Sequence, residues 1–120
     1  MAVILIVEDE FFIRQNAEWA MEDLGHSTLV ATDLAEALVH LSATSHIDAL
    51  FVDIRLRSLP SGGYDVANQA IVLRPGLRVL YTSGSPLTAE MADGFVGGGK
   101  FIQKPYSAEQ LGDSVGTLLH

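Results

Sequence analysis

The chain has no cysteine, which excludes a disulfide framework and any thiolate metal site. Positive charge is also scarce. Seven Lys and Arg residues stand against fifteen Asp and Glu, a formal net charge of −8, with no basic cluster to track a phosphate backbone. Direct nucleic-acid binding is therefore not expected. Only Lys100 and Lys104 supply an ammonium, so chemistry that needs one has two candidates. No apolar run is longer than a strand, so membrane insertion is not expected. The N-terminus has no basic leader with a cleavage site, and with the missing cysteines this makes a reducing, cytoplasmic location the expectation.

With 120 residues, 48% of them hydrophobic, the chain suits one domain with a real core. Four segments share one design, in which a strand-like run ends on polar residues. Leu50-Phe51-Val52 runs into Asp53, and Val3-Ile4-Leu5-Ile6-Val7 runs into Glu8-Asp9-Glu10. Arg78-Val79-Leu80-Tyr81 leads to Thr82-Ser83-Gly84, and Phe101-Ile102-Gln103 leads to Lys104-Pro105. Parallel strands so arranged would gather acids, a hydroxyl and a lysine around Asp53, at the edge where open α/β sheets bind ligands.

Helical spacing fills the gaps. Ile13, Ala17, Ala20 and Leu24 form one stripe, closed by Gly25. Phe12, Asn16, Trp19 and Asp23, with Phe11, form another, read either as part of a broad buried face or as a docking surface. Residues 27–31 make a second strand, and Asp33 with Glu36 has the form of a capping box before Leu34, Leu38 and Leu41. The Ser42-Ala43-Thr44-Ser45 cluster ends that helix, and a central strand covers 47–53. Proline and paired glycines make 55–63 a loop, after which Val66, Ala70 and Leu73 give a third helix stopped by Pro75-Gly76. A strand at 77–82 precedes a fourth helix, expected to be short and mobile because Gly94, Gly97, Gly98 and Gly99 follow it. A strand at 100–103 leads to a capping box of Ser107 and Gln110 and a last stripe, Leu111, Val115 and Leu118. The alternation predicts a doubly wound, three-layer α/β fold of the flavodoxin-like kind, with five parallel strands in the order 2-1-3-4-5.

Carboxylates at Glu8, Asp9 and Asp53 would repel one another unless a cation neutralised them, and oxygen donors suit a hard divalent ion such as Mg2+, with Mn2+ as a substitute. Around such a cluster an aspartate serves as nucleophile for a phosphoryl group, while a lysine and a hydroxyl bind its remaining oxygens. Asp53 is placed for the nucleophile's part.

Four segments, Val7-Glu8-Asp9-Glu10, Phe51-Val52-Asp53-Ile54-Arg55-Leu56, Tyr81-Thr82-Ser83-Gly84 and Phe101-Ile102-Gln103-Lys104-Pro105-Tyr106, occur in this order over nearly the whole chain. In them the sequence resembles the receiver domains of bacterial two-component response regulators, the CheY-like superfamily. The resemblance implies that Asp53 is the phosphoacceptor and that Glu8, Asp9, Asp53 and the backbone carbonyl of Arg55 hold Mg2+. It gives Thr82 the part of the hydroxyl that moves toward the phosphoryl group, Lys104 that of the family's lysine, and Phe101 that of the aromatic that reports the active state. It also implies a cis peptide before Pro105. The expected phosphodonor is a histidine kinase or a histidine phosphotransfer protein, with a protein effector downstream and a homodimer among the partners. Phe11, Phe12, Pro105 and Tyr106 are candidate docking residues. Residues 1–120 would form one receiver without an output domain, a switch whose activity is limited to its own phosphorylation and dephosphorylation. In two places the sequence departs from the family pattern: Ser83 stands where alanine is common, and the glycine-rich 94–99 segment replaces a firmer fourth helix.

Two other readings stand beside it. A pseudo-receiver would bind proteins through the same fold without phosphate. A phosphohydrolase with an aspartyl intermediate would commonly place a second acid where Arg55 stands. Gly94 to Lys100 matches the start of a phosphate-binding loop, but Phe101 occupies the Ser or Thr position and a strand follows, so nucleotide binding is not expected. His26, His40, His46 and His120 lack metal-ligand spacing.

Overall fold

A computed structural model describes residues 2–43, 46–56, 59 and 61–120. The apolar runs become the strands β1 (Val3–Val7), β2 (Ser27–Ala31), β3 (Ala49–Asp53), β4 (Arg78–Ser83) and β5 (Lys100–Gln103). All pair in parallel, in the order β2-β1-β3-β4-β5. The crossovers carry α1 (Phe11–Asp23), α2 (Leu34–Ala43), α3 (Gly62–Leu73) and α4 (Ala89–Asp93), and α5 (Ala108–Leu119) closes the chain. This is the doubly wound, flavodoxin-like order expected from the alternation.

Strand alternation splits the core into two layers. Leu5, Val7, Leu50, Val52, Val79 and Tyr81 face one side, where Ala37 and Leu41 of α2 and Val66, Ala67 and Ala70 of α3 cover them. Ile4, Ile6, Ala49, Phe51 and Leu80 face the other, against Ala17 and Met21 of α1 and Leu111, Val115 and Leu118 of α5. Because β3 is buried on both faces, every one of its positions is buried and its apolar run is continuous up to the carboxylate.

Local details correct four expectations. Leu24 and Leu73 lie at helix ends and stay about half exposed, while Met21 and Ala67 take the buried places. The central strand begins at Ala49 rather than residue 47, and the carboxylate of Asp48 just before it accepts from Val3 N–H at 2.7 Å. The box at α2 is displaced by a residue: Asp33 accepts from Glu36 N–H, and Glu36 reaches back to the N–H of Thr32. The box of Ser107 and Gln110 forms in full. Finally, Gly62 and Gly63 open α3 instead of ending a loop. The expected break at 44–45 and positions 57, 58 and 60 of the 55–63 loop lie outside the described residues.

Gly63 shows why a glycine pair can start this helix. Its N–H donates to Ile54 O at 2.7 Å, and a Cβ there would sit 2.6 Å from Ile54 Cα and 2.9 Å from the carbonyl carbon of Asp53. Backbone cannot yield as a flexible side chain does. Gly63→Ala is therefore expected to cost about 1–3 kcal/mol or more in urea unfolding, the range for overpacking a tight interior. Gly76→Ala, which meets nothing within 4 Å, is the neutral comparison.

Candidate functional site

The sheet order brings β1, β3, β4 and β5 to one rim by their C-terminal ends. Asp53 closes β3 opposite Thr82, and Val52 pairs with Val7, so Glu8 emerges beside Asp53. Lys104 follows β5, its N–H donating to Ser83 O at 2.8 Å. Its Nζ lies 2.7 Å from Asp53 Oδ2 and 2.7 Å from Glu8 Oε1. Residues about fifty and a hundred positions apart thus meet at one ammonium. Asp53 Oδ1 takes a long hydrogen bond from Arg55 N–H, 3.3 Å, and Glu8 Oε2 one from Glu10 N–H, 3.2 Å.

A cleft of about 410 Å³ opens on this group, with Asp9 on its wall and the Ser83–Ser85 turn at its lip. That turn is shaped by Ser83 Oγ, which accepts from Ser85 N–H. A larger groove of about 550 Å³ runs between β5 and α5, but it offers Asp113 as its only acid and no acidic cluster. Chemistry, not volume, selects the smaller cleft.

Burial pushes Glu8 up to about 7 from its ordinary 4.5, the charge of Asp53 adds to the rise, and the Lys104 hydrogen bond opposes it. At Lys104 burial pulls downward, yet the bonds and charges of Asp53 and Glu8 outweigh it, so the ammonium is held above its usual value. Glu8 and Asp53 thus share one ammonium, and Glu8 is still left well above its ordinary value. Glu8, Asp9 and Asp53 offer carboxylate oxygens within 4.8 Å of one another, a hard-donor set that fits a divalent ion.

The linkage has a definite sign. Because Glu8 is raised in the folded protein, its contribution to stability without metal is complete below about 4.5 and is lost as pH rises through about 7. Mg2+ is expected to reverse that loss. The rise in melting temperature on adding the ion should grow across this window, and the stabilisation behind it should be about 2.7 kcal/mol at about 100 times Kd. Melting that ignores millimolar Mg2+ on the alkaline side would contradict the site.

Thr82 is buried, and its Oγ1 has no hydrogen-bond partner among the described residues. Phe101 is partly buried and stacks on Phe95 with centroids 6.2 Å apart. The bond between Lys104 and Pro105 is cis. Tyr106 packs edge-on against Phe51, and burial, then the charges of Glu8 and Asp53, hold its phenol far above its usual value and so neutral. Pro105 and Tyr106 line a small apolar hollow with Ile13 and Asn16. Phe11 and Phe12 are 53% and 72% exposed and Trp19 is 55% exposed, so the broad buried face fails and these aromatics remain at the surface.

Two participants had no sequence signal. Arg14, one turn into α1, donates to the carbonyl of Glu8 at 3.1 Å and lies over the Phe11 ring. Tyr81, read only as a strand residue, holds Val96 N–H with its hydroxyl at 2.9 Å. Lys100 is an exposed strand-edge residue, and His26, His40 and His46 bond to Ala2 N–H, Val30 O and Asp48 respectively.

A parallel sheet in this order with a carboxylate, acid pair, hydroxyl and lysine on its rim defines a class. The response regulator receiver domain family matches residues 4–116, and the chain belongs to that family. Its members accept phosphoryl groups in two-component signalling. Protein PilG of Pseudomonas aeruginosa is 27% identical over 90% of this chain and 80% of its own length. Among solved structures, a response regulator receiver protein from Sinorhizobium medicae WSM419 is 29% identical, with a TM-score of 0.87 over 98% of this chain and 94% of that one. NtrX from Brucella abortus is 28% identical with a TM-score of 0.88, and the match takes in 98% of this chain but 26% of NtrX.

Proposed function

We propose that this receiver takes a phosphoryl group onto Asp53 from a phosphohistidine of a histidine kinase or histidine phosphotransfer protein, in a Mg2+-dependent reaction, and signals to a protein effector by changing conformation. The observation that carries this reading is Lys104 Nζ at 2.7 Å from both Asp53 and Glu8. In the transfer a carboxylate oxygen of Asp53 forms the new P–O bond, the P–N bond to the donor imidazole breaks, and the electron pair leaves with the imidazole. Glu8, Asp9, Asp53 and the carbonyl of Arg55 would hold Mg2+, which when bound offsets charge on the transferred oxygens.

The chain's own groups do the rest. Lys104, charged at neutral pH, is within reach to neutralise another oxygen. Thr82, whose buried hydroxyl lacks a partner among the described residues, gains one in the acyl phosphate. Phe101 follows on the neighbouring strand, where Ile102 pairs with Thr82. Phe11, Phe12, Pro105 and Tyr106 flank the rim as the surface for the phosphodonor. The protein turns over nothing beyond its own acyl phosphate. The proposed place of action is the cytoplasm, where its kinase or phosphotransfer partner would meet it. No helix among the described residues is long and apolar enough to cross a membrane.

The test is incubation with radiolabelled acetyl phosphate, with and without Mg2+. Mg2+-dependent label that hydroxylamine removes, as it does from acyl phosphates, is the expected result. A chain that never takes up label, from acetyl phosphate or from a phosphorylated kinase, would overturn the reading.

A further inference from the structure

Three attachments of the segment between α4 and β5 converge on one side chain, Tyr81, which is fully buried. Its hydroxyl accepts the buried N–H of Val96 at 2.9 Å, and its ring stacks on Phe95 with centroids 4.1 Å apart and planes 13° from parallel. Gly99 lies so close that a Cβ there would come 2.9 Å from Tyr81 Cε2. Tyr64 of α3 is a further hold: its ring lies 6.3 Å from that of Phe95 and against Gly94, and its hydroxyl donates to Met91 O at 3.4 Å. α4 is five residues long with none buried, and Gly97 and Gly98 face open space. Phe95 in turn stacks on Phe101.

Tyr81 shares a peptide bond with Thr82, and the two point to opposite faces of β4. We propose that Tyr81 is the positioning residue that carries the state of the Asp53–Thr82 corner to residues 95–99. The inference rests on Asp53 as the phosphoacceptor. An acyl phosphate supplies the acceptor that the buried Thr82 hydroxyl lacks, and turning Thr82 toward it rotates the peptide that also carries Tyr81. Close-packed rings transmit such a displacement rather than absorb it. Tyr81 cannot shift without taking Phe95 and Val96 along. The path leads through a residue held by hydrogen bond and stacking, in place of a firm fourth helix.

The experiment compares backbone amide resonances of the full chain before and after addition of Mg2+ with beryllium fluoride. In the unmodified protein the amides of Asp53, Thr82 and residues 95–99 are expected to shift together. In Tyr81→Phe, which keeps the ring and deletes the hydroxyl, Thr82 should still shift while the shifts at 95–99 are lost. Phe95→Leu, which removes the stack, should do the same and decides the matter if Tyr81→Phe does not fold. A merely structural Tyr81 would give faster Val96 amide exchange with full shifts at 95–99, and that result overturns the proposal. If Thr82 shifts but 95–99 stay still in the unmodified protein, the coupling is wrong and the phosphoacceptor reading stands. If Asp53 and Thr82 do not respond at all, both fall.

Discussion

Asp53→Asn is expected to abolish covalent labelling by acetyl phosphate, by far the largest change that any single substitution here should produce. The amide keeps the shape of the carboxylate but is a poor nucleophile and cannot form a stable acyl phosphate. The geometry offers no substitute. Glu8 is buried and bonded to Lys104 and the N–H of Glu10, and it stays partly protonated near neutrality because burial raises it to about 7. Mass spectrometry of the intact protein after Mg2+ and acetyl phosphate checks the prediction directly. Full labelling of Asp53→Asn would move the acceptor elsewhere.

The second large effect is on stability. In Lys104→Met the apolar stem is kept and the cation removed, so Glu8 and Asp53, both nearly inaccessible to water, face each other without it. Removing one partner of a buried ion pair costs about 3–5 kcal/mol. Part of that cost is escaped by protonation. Without the lysine, Glu8 rises further above its ordinary value, so the deficit should be small at acid pH and widen as pH climbs past neutrality. Urea titrations in chelator at acid and alkaline pH measure it, and added Mg2+ should recover some of the loss on the alkaline side. Equal deficits at both would mean that Lys104 acts mainly through packing.

Much of this was legible in the chain because the determinants are local. Continuous apolar runs ending on Glu8, Asp53, Thr82 and Lys104 fixed the strands, and a parallel sheet leaves such ends on one rim. Helix stripes failed at their ends. Leu24 and Leu73 obey the period but sit where the helix stops, so no partner helix covers them fully. The paired glycines misled for a different reason: composition suggested freedom at Gly62 and Gly63, whereas Gly63 is set by the nearness of the Asp53 and Ile54 backbone. Contacts between distant side chains, such as Tyr81 with Val96 or Arg14 with Glu8, depend on tertiary packing that no periodicity encodes.

The abutment of Gly63 on the peptide after Asp53 has a mechanical consequence. Gly63 at the start of the third helix sits against the backbone of Asp53 and Ile54 with no room for a Cβ, so that helix start and the end of β3 are held as one piece, whereas the five-residue fourth helix buries none of its residues. Any displacement of that helix start is felt at the base of Asp53.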